Sequence, residues 1–150
     1  MNIPCRRIEV RNCKIYEGSG VTLGSEVSGG IEDITVRDLQ FYGTDCGFRI
    51  KSAYPRKGYI RNITVDGLQM EDVHFCIHIQ LNWNPSYNEC KVSDSYRGKI
   101  PERWKLLMEP VSDAIPPTDV RNVKIKNIRA TLTGRQQELT RAFVIDGYAS

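Results

Sequence analysis

The chain has 150 residues, 40% of them hydrophobic and 26% charged, with a formal net charge of +3. That length holds one domain with an adequate core, and so mild a charge, with Lys and Arg scattered along the chain, gives no sign of a nucleic-acid partner. No run is long enough to span a membrane, and Met1–Arg7 lacks the apolar stretch of a signal peptide.

The first predicted element is Arg7–Ile15, in which Ile8 and Val10 alternate with charged residues, Asn12 breaks the pattern, and Cys13 and Ile15 resume it. Period-two alternation reads as a short strand with one buried face. The break falls on a residue type that tolerates left-handed backbone, so the unit reads as strand, sharp corner, strand. A further short strand follows at Val21–Gly24. The same succession returns as Asp33–Phe41 with its break at Asp38, followed by Phe48–Lys51. It returns again as Asn62–Met70 with its break at Gly67, followed by Ile77–Gln80. The segment from Trp83 to Thr118 holds Pro85, Pro101, Pro110, Pro116 and Pro117, shows no strand alternation, and reads as an excursion. A fourth unit, Asn122–Ala130 with its break at Asn127, is followed by Phe143–Asp146.

The anchors Ile8, Ile34 and Ile63 lie 26 and then 29 residues apart, a solenoid period. Short strands on such a period predict an all-β chain, a right-handed single-stranded parallel β-helix with coils stacked about 4.8 Å apart. A sandwich or barrel would call for hairpin turns such as Asn-Gly between strands, and the sequence has no Asn-Gly. The expected organisation is one partial β-helix domain over 1–150, with coils at about 5–30, 31–58, 59–83 and 119–148 and the excursion at 84–118. An uncapped first coil near Ile8–Ile15 would present unpaired backbone groups, which suggests self-association or further coils upstream.

Five cysteines form no Cys-x-x-Cys. Cys13 and Cys76, at or beside apolar strand positions, read as buried free thiols, and a bridge to Cys90 cannot be assigned from spacing. Zinc is not expected, because His74 and His78 have no cysteine cluster beside them. No other cofactor is implied. Asn62-Ile63-Thr64 fits a glycosylation sequon but belongs to the repeat.

Aligning the repeats points Val21, Phe48, Ile77 and Phe143 inward, as it does Leu23, Ile50, Ile79 and Ile145. The residues between them then stack outward in two rows, Thr22–Arg49–His78–Val144 and Gly24–Lys51–Gln80–Asp146. Arg49 and Lys51 project from one face about 7 Å apart. With Trp83 just downstream, the patch holds two cations, an imidazole, an amide and a flat ring. Such a group suits an anionic sugar: Arg clamps a carboxylate, Lys adds a point charge, and the ring covers a sugar face. Ordinary solvated strand cations are the competing reading.

The segments Gly20-Val21-Thr22-Leu23-Gly24-Ser25-Glu26-Val27-Ser28-Gly29-Gly30-Ile31 and Gly43-Thr44-Asp45-Cys46-Gly47-Phe48-Arg49-Ile50-Lys51-Ser52 resemble glycoside hydrolase family 28, the polygalacturonases and rhamnogalacturonases. The resemblance runs from about Ile8 to Trp83 and resumes more weakly over Val120–Ile128. It implies a right-handed parallel β-helix and hydrolysis of galacturonate-containing, pectin-type polysaccharide. It implies that Arg49 and Lys51 bind the acidic sugar near the scissile bond, with His78 and Gln80 lining the cleft and Trp83 where the family usually has a tyrosine.

Inverting hydrolysis needs an acid and a base about 6.5–9.5 Å apart. The family's aspartates belong to Asn-Thr-Asp and Asp-Asp elements that this sequence does not contain, and no histidine stands near Glu17-Gly18-Ser19. The chain therefore resembles the C-terminal portion of such an enzyme. Asp45 and Glu26 are the remaining acid candidates, followed by Glu17 and Asp72, although turns attract such residues for reasons of solvation. The alternatives are a non-catalytic uronate-binding module, a structural β-helix segment, and a calcium-dependent lyase, which the lack of an acid cluster on the patch disfavours. The family implies an acidic plant polysaccharide as partner and a location outside the cytoplasm.

Overall fold

The computed structural model describes residues 3–83, 91–109, 112, 115–134 and 141–147, without the side chain of residue 107. The elements are β1 (Cys5–Arg11), β2 (Lys14–Tyr16), β3 (Val21–Leu23), β4 (Ile31–Tyr42), β5 (Cys46–Lys51), β6 (Tyr59–Glu71), β7 (Phe75–Gln80), α1 (Glu102–Met108), β8 (Asp119–Thr131) and β9 (Arg141–Asp146). Two parallel sheets result. One runs β1-β4-β6-β8, with β2 also paired to β4, and the other runs β3-β5-β7-β9. The first coil gives β1 and β2 to the first sheet, each later coil gives one long, bent strand there, and every coil gives one short strand to the second, which is the right-handed parallel β-helix expected from the repeat.

The corners lie where the sequence places them. Asn12, Asp38, Gly67 and Asn127 have φ of +53°, +56°, +71° and +56°; the last three bend one long strand without ending it, and Asn12 stands between β1 and β2. A second left-handed row stands five residues earlier, at Arg7, Asp33, Asn62 and Asn122. There the side chains form a ladder: Asn62 Nδ2 donates to Asp33 Oδ1 at 2.9 Å and Asn122 Nδ2 donates to Asn62 Oδ1 at 2.7 Å. Asn and Asp tolerate this backbone best among residues with a side chain, and here their amides and carboxylate also bond from coil to coil.

Inward positions of successive coils fill one core. Val36, Leu39, Phe41, Phe48, Ile50, Ile60, Ile63, Val65, Leu68 and Ile77 have no exposed surface at all. In β9, Phe143 and Ile145 hold the corresponding inward register against Ile77 and Ile79, yet are 60% and 71% exposed. A coil buries its apolar face only when a neighbour lies on each side.

Gly20 and Gly24 bracket β3 at φ of +68° and +98°. A Cβ there would lie 1.8 Å from the Cys46 carbonyl oxygen and 1.9 Å from that of Lys51. The Gly-x-x-x-Gly spacing thus lets the first coil seat directly on both ends of β5, the strand that carries Arg49 and Lys51.

Two expectations need amending. Cys13 is exposed although it holds the inward register of Leu39, because no described coil covers the other side of the first coil; its Sγ lies 3.2 Å from the Arg11 carbonyl oxygen. Cys76 is buried as expected, together with Cys46, whose thiol burial pushes up to about 12. The excursion is not wholly irregular, since it contains the short helix α1, whose Trp104 meets Tyr96 at 6.0 Å between ring centroids. Cys90 lies outside the described residues.

Candidate functional site

On β5, Phe48 and Ile50 enter the core, so Arg49 and Lys51 must leave by the outer face. The register brings Thr22, Arg49, His78 and Val144 into one row and Lys51, Gln80 and Asp146 into the next. Arg49 is outward in register yet only 5% exposed. Three groups enclose it. Asp45 Oδ2 accepts from its Nη2 at 2.7 Å, His78 Nδ1 accepts from its Nε at 3.3 Å, and the Trp83 ring centroid lies 5.4 Å from its guanidinium carbon.

Trp83 is set in place by its backbone, whose N–H donates to the Ser52 carbonyl at 2.8 Å. The Lys51 ammonium sits 4.8 Å from the same ring centroid. Two cations therefore share one indole, an attraction that grows as water is excluded. Among the described residues, no carboxylate pairs with Lys51.

His78 accepts from Arg49 at Nδ1, so its proton resides on Nε2 and the ring is neutral. Burial pushes its pKa below the ordinary value and the Arg49 cation pushes it further, against the pull of Asp45, Asp146 and the Gln80 side chain. Phe75 stacks on the imidazole at 4.8 Å and Trp83 approaches it edge-on at 6.0 Å. His78 thus holds the guanidinium from one side while Asp45 holds it from the other.

The acid candidates separate. Asp45 joins the group, with one oxygen committed to Arg49. Glu26 is held elsewhere: Arg56 Nη2 lies 3.3 Å from its Oε1, and Ser25 Oγ donates to it at 3.1 Å. Glu17 is exposed at a left-handed corner, and buried Asp72 accepts from the Thr133 N–H at 2.8 Å and from its hydroxyl. Asp146 and Asp45 are the carboxylates whose fields reach His78, and the nearness of Asp146 was legible in the predicted row though it was not chosen as a candidate. Among the described residues no cluster of three or more His, Cys, Asp or Glu side chains is arranged to hold a metal ion. Among the described residues no helix is long and apolar enough to cross a membrane.

Residues 3–98 match the pattern of glycosyl hydrolases family 28. A probable polygalacturonase of Vitis vinifera is 24% identical over 147 residues, which is 91% of this chain and 30% of that protein. A polygalacturonase of Ralstonia solanacearum is 34% identical over 94 residues, 60% of this chain and 17% of that protein. The family 28 exopolygalacturonase of Yersinia enterocolitica superposes with a TM-score of 0.60 at 21% identity, over 85% of this chain and 19% of its own. The chain thus spans less than a third of the length of these relatives. The family pattern covers most of the chain, including the whole Asp45–Arg49–Lys51–His78–Trp83 group, and the superposition repeats the same stacked coils: the chain belongs to glycosyl hydrolase family 28.

Proposed function

We propose that this chain is the C-terminal, uronate-binding part of a pectin-degrading glycoside hydrolase, with Arg49 and Lys51 receiving the carboxylate of a galacturonate unit. The observation that carries this reading is the fixed Arg49 guanidinium, braced by Asp45 and His78, with the Lys51 ammonium beside it over the Trp83 ring. Bracing removes most of the entropy that a surface arginine would lose on binding, so the charge-assisted bond to a carboxylate is gained at little cost. Lys51 adds a point charge free of any described carboxylate. Gln80 stands next to Lys51 in the row and can take a sugar hydroxyl. The relatives' names, polygalacturonase, point to the same acidic sugar.

In this reading bond cleavage falls to residues outside the group. An inverting acid and base stand about 6.5–9.5 Å apart, whereas Asp45 is committed to Arg49 and Glu26 to Arg56. We read residues 1–150 as one partial β-helix domain whose coils meet such a centre, in an enzyme acting outside the cytoplasm on plant pectin. A non-catalytic uronate-binding module is the second reading, favoured by that same commitment of Asp45.

The test measures reducing-end release from polygalacturonate, and calorimetric binding of oligogalacturonate, for the chain and for an Arg49→Ala, Lys51→Ala double variant. Binding without release, lost in the double variant, is the expected result. Release by the chain alone would return catalysis to Asp45 or Glu26. Binding unaffected in the double variant would remove the uronate assignment from this group.

A further inference from the structure

The outer face of the long-strand sheet carries a different arrangement. Past the corner at Asp38 and its equivalents, alternate residues stack outward in two rows, Lys14–Gln40–Gln69–Arg129 and Tyr16–Tyr42–Glu71–Thr131. The residues between them, Leu39, Phe41, Leu68 and Met70, enter the same core that receives Phe48 and Ile50 from the other sheet. The two outer faces therefore lie on different sides of the coil, and these rows face away from Arg49.

This face is shaped and partly fixed. The Tyr16 and Tyr42 rings stack at 5.0 Å with their planes 13° apart. The Tyr42 hydroxyl donates to Gln40 Oε1 at 2.9 Å, which locks both ring and amide. Beside Tyr42 opens a groove of about 200 Å³, lined also by Gln69, Glu71, Arg129 and Thr131 and floored by Phe41 and Met70. Glu71 and Arg129 both edge it, yet they form no ion pair with each other. Among the described residues, no side chain pairs with Arg129 or with Lys14 at the far end of its row. An aromatic wall, a primary amide, an unspent carboxylate and an unspent guanidinium thus converge on one groove. The ring suits the C–H face of a sugar, the amide and Glu71 suit its hydroxyls, and the guanidinium suits a carboxylate.

We propose that this groove is a second binding site, separate from the Arg49 group, for an acidic oligosaccharide. Tyr42 takes the sugar face, Gln69 and Glu71 take hydroxyls, and Arg129 takes the carboxylate. Neighbouring coils repeat at about 4.8 Å, so a saccharide laid across them meets Lys14 with a following acidic unit. The proposal does not rest on the Arg49 reading.

Calorimetric titration of the 150-residue chain with oligogalacturonate tests it. Two sites per chain are expected, and Arg129→Glu, at an exposed position that folding does not need, should reduce them to one. In the Arg49→Ala, Lys51→Ala background one site should persist, and adding Arg129→Glu should weaken it by about tenfold or more. One site per chain that Arg129→Glu abolishes would sustain this proposal and sink the Arg49 reading. One site insensitive to Arg129→Glu would overturn the proposal. Equal binding of a neutral gluco-oligosaccharide of the same length would overturn its acidic class.

Discussion

Ile50 and Ile145 occupy the same inward place in the short-strand sheet, joined through Ile79, and share one side chain, yet one is wholly buried and the other 71% exposed. The middle coils and the last coil are built from the same pattern. They differ in whether a further coil lies against them. In this fold, burial is a property of the pair of neighbours rather than of the residue, and the functional groups follow the same rule. Arg49 is enclosed because β7 and Trp83 lie on one side of it and β3 on the other.

Substitutions matched between middle and end sharpen that contrast. Ile50→Ala should cost about 2–5 kcal/mol in urea unfolding, against under about 1 kcal/mol for Ile145→Ala; equal costs would mean that β9 is covered in solution. Asn62 bonds to the coil before and the coil after, so Asn62→Ala should cost about 1–2 kcal/mol and Asn122→Ala, which loses one such bond, about half as much. Chemical reactivity should divide in the same way: iodoacetamide should label Cys5 and Cys13 in the folded chain and leave Cys46 and Cys76 until denaturant is added.

A smaller effect is expected from pH. The His78 pKa is lower folded than its ordinary value of 6.5, so below that pH the unfolded chain takes up the extra proton. Stability from this residue is then complete above about 6.5 and falls as pH drops through the folded value. Asp45, Arg49, Phe75, Gln80, Trp83 and Asp146 face it, and protonation would set imidazolium against guanidinium. His78→Gln should flatten the acid side of the urea-midpoint profile, and an unchanged profile would place the titration elsewhere.

Much of this was written in the repeat. The breaks at Asn12, Asp38, Gly67 and Asn127, the inward rows and the outward row from Thr22 to Val144 follow from period two and a fixed turn residue. The second left-handed row was half visible, since Asp33, Asn62 and Asn122 each open a unit, but Arg7 at the head of the row masked it. Cys13 holds the inward register of Leu39 as alternation says, but burial was not legible, because alternation does not say whether a neighbouring coil covers that side. In the site, the register of Arg49 with His78 was legible, but its enclosure was not. Alternation says which side of the sheet a side chain leaves from, and nothing of Asp45 reaching along the strand or of Trp83 returning over it.

The Asp33–Asn62–Asn122 ladder has a direction. Asn62 gives its amide N–H to the coil before it and its carbonyl oxygen receives from Asn122 in the coil after it, and Asp33, which only accepts when ionised, suits the receiving end. The row is a one-way thread. Asn62 could be repeated in an inserted coil without disturbing the pattern, because it receives and gives alike, whereas Asp33 moved one coil along would face a carboxylate or carbonyl with no proton to offer. Coils of this helix are therefore interchangeable in shape but ordered in grammar, and a designer lengthening or shortening the stack would have to add or remove asparagine coils and leave the aspartate coil where it is.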